Sequence, residues 1–162
     1  MERSDGLEPV ATAAPLRVLA LGNELLADDA FGILAGRESQ RRFGGRIELM
    51  CTSAGGLHLL EDILGAKRLV VIDTIATGHC APGTVRVFHE AQLAAAPGAS
   101  PHSSGLFDAV ALARAAGLRV PEEITVVAVE AFDCTTIGGA MHTDVAAALE
   151  PVIAEIGKLV SR

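Results

Sequence analysis

The stretch LRVLALGNELLADDAFG, residues 16–32, decides the fold. Val18, Leu19, Ala20 and Leu21 form a short apolar run, as a buried strand does. The run breaks at Gly22-Asn23, a turn dipeptide in which a positive φ costs little. A helix restarts near Asp28, with Phe31, Ile33 and Leu34 on its apolar face. A strand thus feeds a loop, and the loop sets two carboxylates at a helix start. Open α/β sheets build their sites there. Simple capping also suits both acids: Asp28 as N-cap and Asp29 at the positive end of the helix dipole.

Outward from this stretch, strand and helix alternate. Residues 46–51, 68–73 and 123–129 read as strands, and the third and last are apolar enough to be buried on both faces. Residues 83–89 alternate and read as a weaker strand at an edge. The first helix spans 28–41 and a short amphipathic one 57–64. A third opens at Ser100-Pro101 and runs to Gly117, with His102 in its first turn. The last, over 142–160, carries Val145, Leu149, Val152, Ile156 and Val160 on one stripe, and Pro151 is placed to kink it. Residues 90–99 read as a long loop. The pattern predicts a three-layer α/β/α sandwich around a mostly parallel twisted sheet of about five strands. Residues 1–15 are expected to be a flexible tail, and 16–162 a single domain.

The chain of 162 residues is long enough to bury a core without staples. No apolar run reaches membrane-spanning length, and the N-terminus lacks the apolar region of a signal peptide. Cys51, Cys80 and Cys134 are an odd set with no close pair, which points to reduced thiols and a cytoplasmic protein. A net charge of −7 with scattered Lys and Arg argues against nucleic acid as a partner.

Dinucleotide, Walker A, serine-elbow and zinc-protease motifs are all missing. A phospho-receiver domain is one alternative, since Asp28-Asp29 and Asp73 resemble its acidic triad. The acidic pair comes six residues after the turn, however, and Glu130-Ala131-Phe132 stands where a receiver needs a lysine. Three groups remain that could converge: Asp29 at the first helix start, Asp73 at the end of the third strand, and His102. Two carboxylates and an imidazole make an O/N site for a borderline divalent metal such as nickel or zinc. Capping the following turn would also account for Asp73, and filling a first helical turn for His102.

GNELLADDAFG, VVIDT, APGT at residues 81–84 and SPHSSGLFDAV at residues 100–110 together resemble the hydrogenase maturation proteases. The resemblance covers residues 16 to about 129. It implies a cytosolic endopeptidase that removes the C-terminal extension of a nickel-loaded [NiFe]-hydrogenase large-subunit precursor. By that resemblance Asp29, Asp73 and His102 are the catalytic, nickel-contacting residues, and the nickel arrives with the precursor. The expected chain is monomeric or weakly associating. Cys51-Thr52-Ser53-Ala54 stands where many members carry Asp-Gly-Gly-Thr, a segment tied to substrate recognition. Ala30 replaces a common Gly, and Met141-His142-Thr143 a common Leu-Ser-Pro. The same three residues would also serve a non-cleaving chaperone that docks on the metallated large subunit.

Overall fold

The computed structural model describes residues 15–93 and 105–162. Five strands form one sheet in the order β2-β1-β3-β5-β4. They are β1 Leu16–Leu21, β2 Ile47–Thr52, β3 Arg68–Ile75, β4 Val85–His89 and β5 Glu123–Glu130. All neighbours run parallel except β4, which lies antiparallel along β5 at the edge. That edge strand separates the fold from an all-parallel receiver sheet.

The central strands are apolar on both sides because helices cover both faces. On one face Val18, Val70, Ile72 and Val127 pack with Phe31 and Ala35 of α1 (Phe31–Phe43) and Val152 and Ile156 of α6 (Leu149–Val160). On the other, Leu19, Leu21, Leu69, Val71 and Val126 pack with Ile63 of α2 (Leu60–Ile63) and Leu106 and Val110 of α4 (Leu106–Ala115). Register keeps the faces separate: Val71 lies opposite Val126, and Ile72 opposite Val127. The three-layer sandwich expected from the alternation is the one observed. No helix among the described residues is long and apolar enough to cross a membrane.

Several local readings change. Asp28–Ala30 is a 3-10 turn, and α1 begins only at Phe31. Leu34 is 43% exposed, since helical rotation turns it off the stripe of Phe31, Ala35 and Ile33. Glu90–Leu93 forms a short helix, α3, inside the expected loop. Among the described residues α4 opens at Leu106, after Gly105 at φ 86°. The expected single last helix is split into α5 (Thr143–Ala147) and α6. Pro151 therefore lies in the first turn of α6, just past the break at Ala148, where its missing N–H removes no helical bond. The N-terminal tail, Ser100-Pro101 and His102 lie outside the described residues.

One glycine locks α1 to the sheet. A Cβ on Gly32 would stand 1.9 Å from the Leu21 carbonyl oxygen and 3.2 Å from that of Ile72. Only a glycine lets the helix start touch the strand ends that closely. Gly32→Ala is expected to lower stability by about 3 kcal/mol, read as the shift of the urea midpoint. Gly45→Ala, with nothing within 4 Å of its Cβ, should leave the midpoint near wild type.

Candidate active site

The strand order reverses direction between β1 and β3, with β2 on one side of β1 and β5 beyond β3. A crevice opens at the carboxyl ends of the strands at such a switch point. Asp29 follows β1 and Asp73 lies near the end of β3, so both acids belong to that point. Gly22 makes the approach possible. Its φ is +151°, and a Cβ there would sit 2.1 Å from the Asp29 carbonyl oxygen. The close contact, rather than the turn type alone, demands the glycine.

Thr74 joins the two acids. Its backbone N–H donates to Asp73 Oδ1 at 2.8 Å, and its hydroxyl makes a long hydrogen bond of 3.4 Å to Asp29 Oδ1. Asp29, Asp73 and Thr74 are all buried, so the carboxylates lie beneath the surface and not in an open cleft. The same hydroxyl lies 3.7 Å from the Cys134 sulfur. Burial pushes the Cys134 thiol up to about 11, and the charges of Asp29, Asp28 and Asp73 add to this against the Thr74 contact. Cys134 is thus the thiol nearest the Thr74 junction of the two acids. Sequence reading treated it only as a reduced thiol, and no local signal marks it, because its neighbours come from distant segments. None of the three cysteines forms a disulfide.

Asp28 has a different task from Asp29. It is fully buried and caps nothing: the residue before the 3-10 turn, Ala27, makes no side-chain cap bond. Its Oδ2 accepts the N–H groups of Phe132 and Asp133, both at 2.8 Å, and its Oδ1 accepts that of His142 at 2.6 Å. The Asp28 N–H in turn donates to the Asp133 carbonyl at 2.8 Å. The expected N-cap is therefore a clamp between two loops. Glu130 is a second buried clamp that sequence reading missed. It accepts the Thr77 and Gly78 N–H groups, both at 2.8 Å, and the Thr77 hydroxyl, holding the loop between β3 and β4. Asp133 braces its own loop, where the Thr136 and Thr135 donors keep its carboxyl well below the usual range.

As a donor set, Asp29 and Asp73 offer two hard oxygens, which suit a divalent cation. No group of three metal-binding side chains occurs among the described residues. Beside the acids, a cleft of about 450 Å³ opens between the carboxyl ends of β1 and β2. Asn23, Glu24, Arg37, Cys51 and Ser53 line it, and Arg37 pairs with Glu24 across it. Cys51 and Ser53 belong to the segment that departs from Asp-Gly-Gly-Thr.

A doubly wound α/β fold with buried carboxylates at its switch point defines a class of site but not a reaction. The comparisons with known proteins supply the family. Residues 37–159 match the hydrogenase maturation protease family, HycI. The chain is 31% identical over 147 residues to the hydrogenase expression/formation protein HoxM of Azotobacter vinelandii, an alignment covering 88% of this chain and 70% of that one. It superposes on the hydrogenase maturating endopeptidase HybD from E. coli with a TM-score of 0.77 at 25% identity, over 91% and 92% of the two chains. With the [NiFe] hydrogenase maturation protease HybD from Thermococcus kodakarensis the TM-score is 0.70 at 28% identity, over 90% and 99%. The chain belongs to the hydrogenase maturation protease family, and is an endopeptidase of that type.

Two measurements check this geometry. Asp28→Ala strands three backbone donors and should cost about 3–5 kcal/mol of stability in urea titration. Cys134 should react with iodoacetamide at pH 8 more slowly than exposed Cys51, as peptide mass mapping reads. The linkage has a definite sign. The folded chain holds the thiol proton from the ordinary value of 9.0 up to about 11. An unfolded chain releases it in that window, so this contribution is intact below 9.0 and fades as pH rises through about 11.

Proposed function

We propose that this chain cuts the C-terminal extension from a nickel-loaded [NiFe]-hydrogenase large-subunit precursor, in the cytoplasm. The observation that carries the reading is the meeting of two buried carboxylates, Asp29 and Asp73, at Thr74 on the switch point of a maturation-protease fold. The nickel belongs to the precursor, held by the precursor's own ligands. Asp29 and Asp73 are the oxygen contacts to it and His102 is the nitrogen contact. Bound at that place, nickel supplies a Lewis acid beside the bond to be cut. Asp73 is oriented by the Thr74 N–H and Asp29 by the Thr74 hydroxyl, so the two carboxylates keep a set geometry relative to each other. Two carboxylates and one imidazole, without a thiolate, form a weak site for free nickel. That weakness favours reading the metal in the precursor over storing it.

The test is cleavage of nickel-loaded and nickel-free precursor, followed by mass. Wild type should shorten only the loaded form. Asp29→Ala, Asp73→Ala and His102→Ala should each lose at least about tenfold in rate on that form. Equal cleavage of both forms would overturn the nickel reading. Binding of loaded precursor without any shortening would favour a chaperone role.

A further inference from the structure

Large apolar side chains scattered singly on a surface need no explanation, but a cluster of them does. Among the described residues the three most exposed are Ile137 at 80%, Phe132 at 71% and Leu25 at 68%. They come from sequence positions far apart, yet one pair of loops carries all three. Leu26 bridges Ile137 in antiparallel fashion, and the Gly138 N–H donates to the Leu25 carbonyl at 2.8 Å. The Ala27 N–H donates to Thr136 at 3.1 Å, and Phe132 hangs from Asp28 by its own N–H. The next residue after this seam is Asp29. The three residues therefore sit on one hydrogen-bonded pair of loops next to Asp29, with Leu25 lining the cleft at the ends of β1 and β2 and Phe132 lining the one beside Gly78 and Glu130.

We infer that Leu25, Phe132 and Ile137 form a docking rim for the substrate polypeptide, seating apolar residues of the precursor next to the bond that is cut. The inference rests on the protease reading above, and it adds the surface that grips the substrate. An endopeptidase must hold its substrate chain beside the reacting bond. Here the bonded seam sets three apolar residues on the loops beside that site. A second copy of this chain fits the rim poorly. The three side chains expose on the order of 400 Å², about half of the roughly 800 Å² per partner that a stable pair buries. Two copies would also bring net charges of −7 together. The rim is thus sized for a segment of chain, which it would hold with few contacts and release after cleavage.

The experiment compares wild type, Leu25→Ser/Ile137→Ser, Phe132→Ser and Phe132→Leu on a nickel-loaded large-subunit precursor that wild type binds. Leu112→Ser/Leu118→Ser, exposed positions in and after α4, serves as control. Denaturation midpoints establish that each variant is folded. Affinity is read by biolayer interferometry and turnover by precursor mass. The rim serine variants should raise Kd and KM by about tenfold with kcat within about twofold, because docking contacts are made before and during the reaction alike. Phe132→Leu should restore most of the affinity, and the control should match wild type. Unchanged KM and Kd in the folded rim variants would overturn the rim while leaving the protease reading intact. Rim-dependent binding without shortening would keep the rim and overturn cleavage. Wild type that binds no large-subunit precursor, or a rim that loses only self-association in sedimentation, would overturn the rim.

Discussion

Both carboxylate oxygens of Asp28 are occupied by backbone N–H groups that lie more than a hundred residues downstream. The bonds are short and charge-assisted, and they are buried. They attach the turn after β1 to the loop between β5 and α5. Within the 131–142 segment the backbone carries few regular bonds, and Phe132 and Ile137 face outward while Ala131 and Met141 pack inward. There Cys134 lies against Thr74, and the seam from Leu25 to Gly138 closes. One buried acid, together with the backbone seam from Leu25 to Gly138, thus joins β1 and β3 to the β5–α5 loop in one site.

Two adjacent aspartates divide the work. Asp28 is consumed by the fold, and Asp29 faces Thr74 and the switch point. A 3-10 turn makes the division possible, since successive residues in so tight a turn point in different directions. Two glycines let that turn sit where it does. Gly22 admits the carbonyl of Asp29, and Gly32 admits the carbonyl of Leu21. Both are close approaches of backbone to backbone, which no side chain can share. Glu130 applies the same device on the other side of β3, tying the Thr77-Gly78 turn to the end of β5. The β3–β4 and β5–α5 loops are thus each held by a buried carboxylate that accepts backbone donors. This leaves little of the edge free to rearrange and pre-organises what faces the substrate.

Much of the site was legible early, for chemical reasons. Asp29 and Asp73 sit at strand ends in an alternating α/β pattern, and the alternation alone sends strand ends to one edge. Their adjacency through Thr74 follows from β1 and β3 being neighbours. Asp28 was misread because an aspartate before a helix is nearly always read as a cap, and its real partners lie at positions 132, 133 and 142. Glu130 and Cys134 carried no motif at all. Their surroundings are built from separate segments, and local spacing encodes none of that.

The amino-acid sequence by itself determined the layered architecture, the central strands and the edge strand. Each depends on local periodicity and on apolar runs long enough to be covered on both faces. It also carried the family, through short motifs in the right order. Tertiary structure alone decided which acid clamps and which faces the site, where α1 truly starts, and that the last helix divides at Ala148, before Pro151. It also set Leu25, Phe132 and Ile137 on one joined pair of loops. The physical reason is the same in each case. Hydrogen bonds from a buried carboxylate, and backbone contacts at a glycine, depend on groups brought together from distant parts of the chain, and sequence spacing holds no record of that distance.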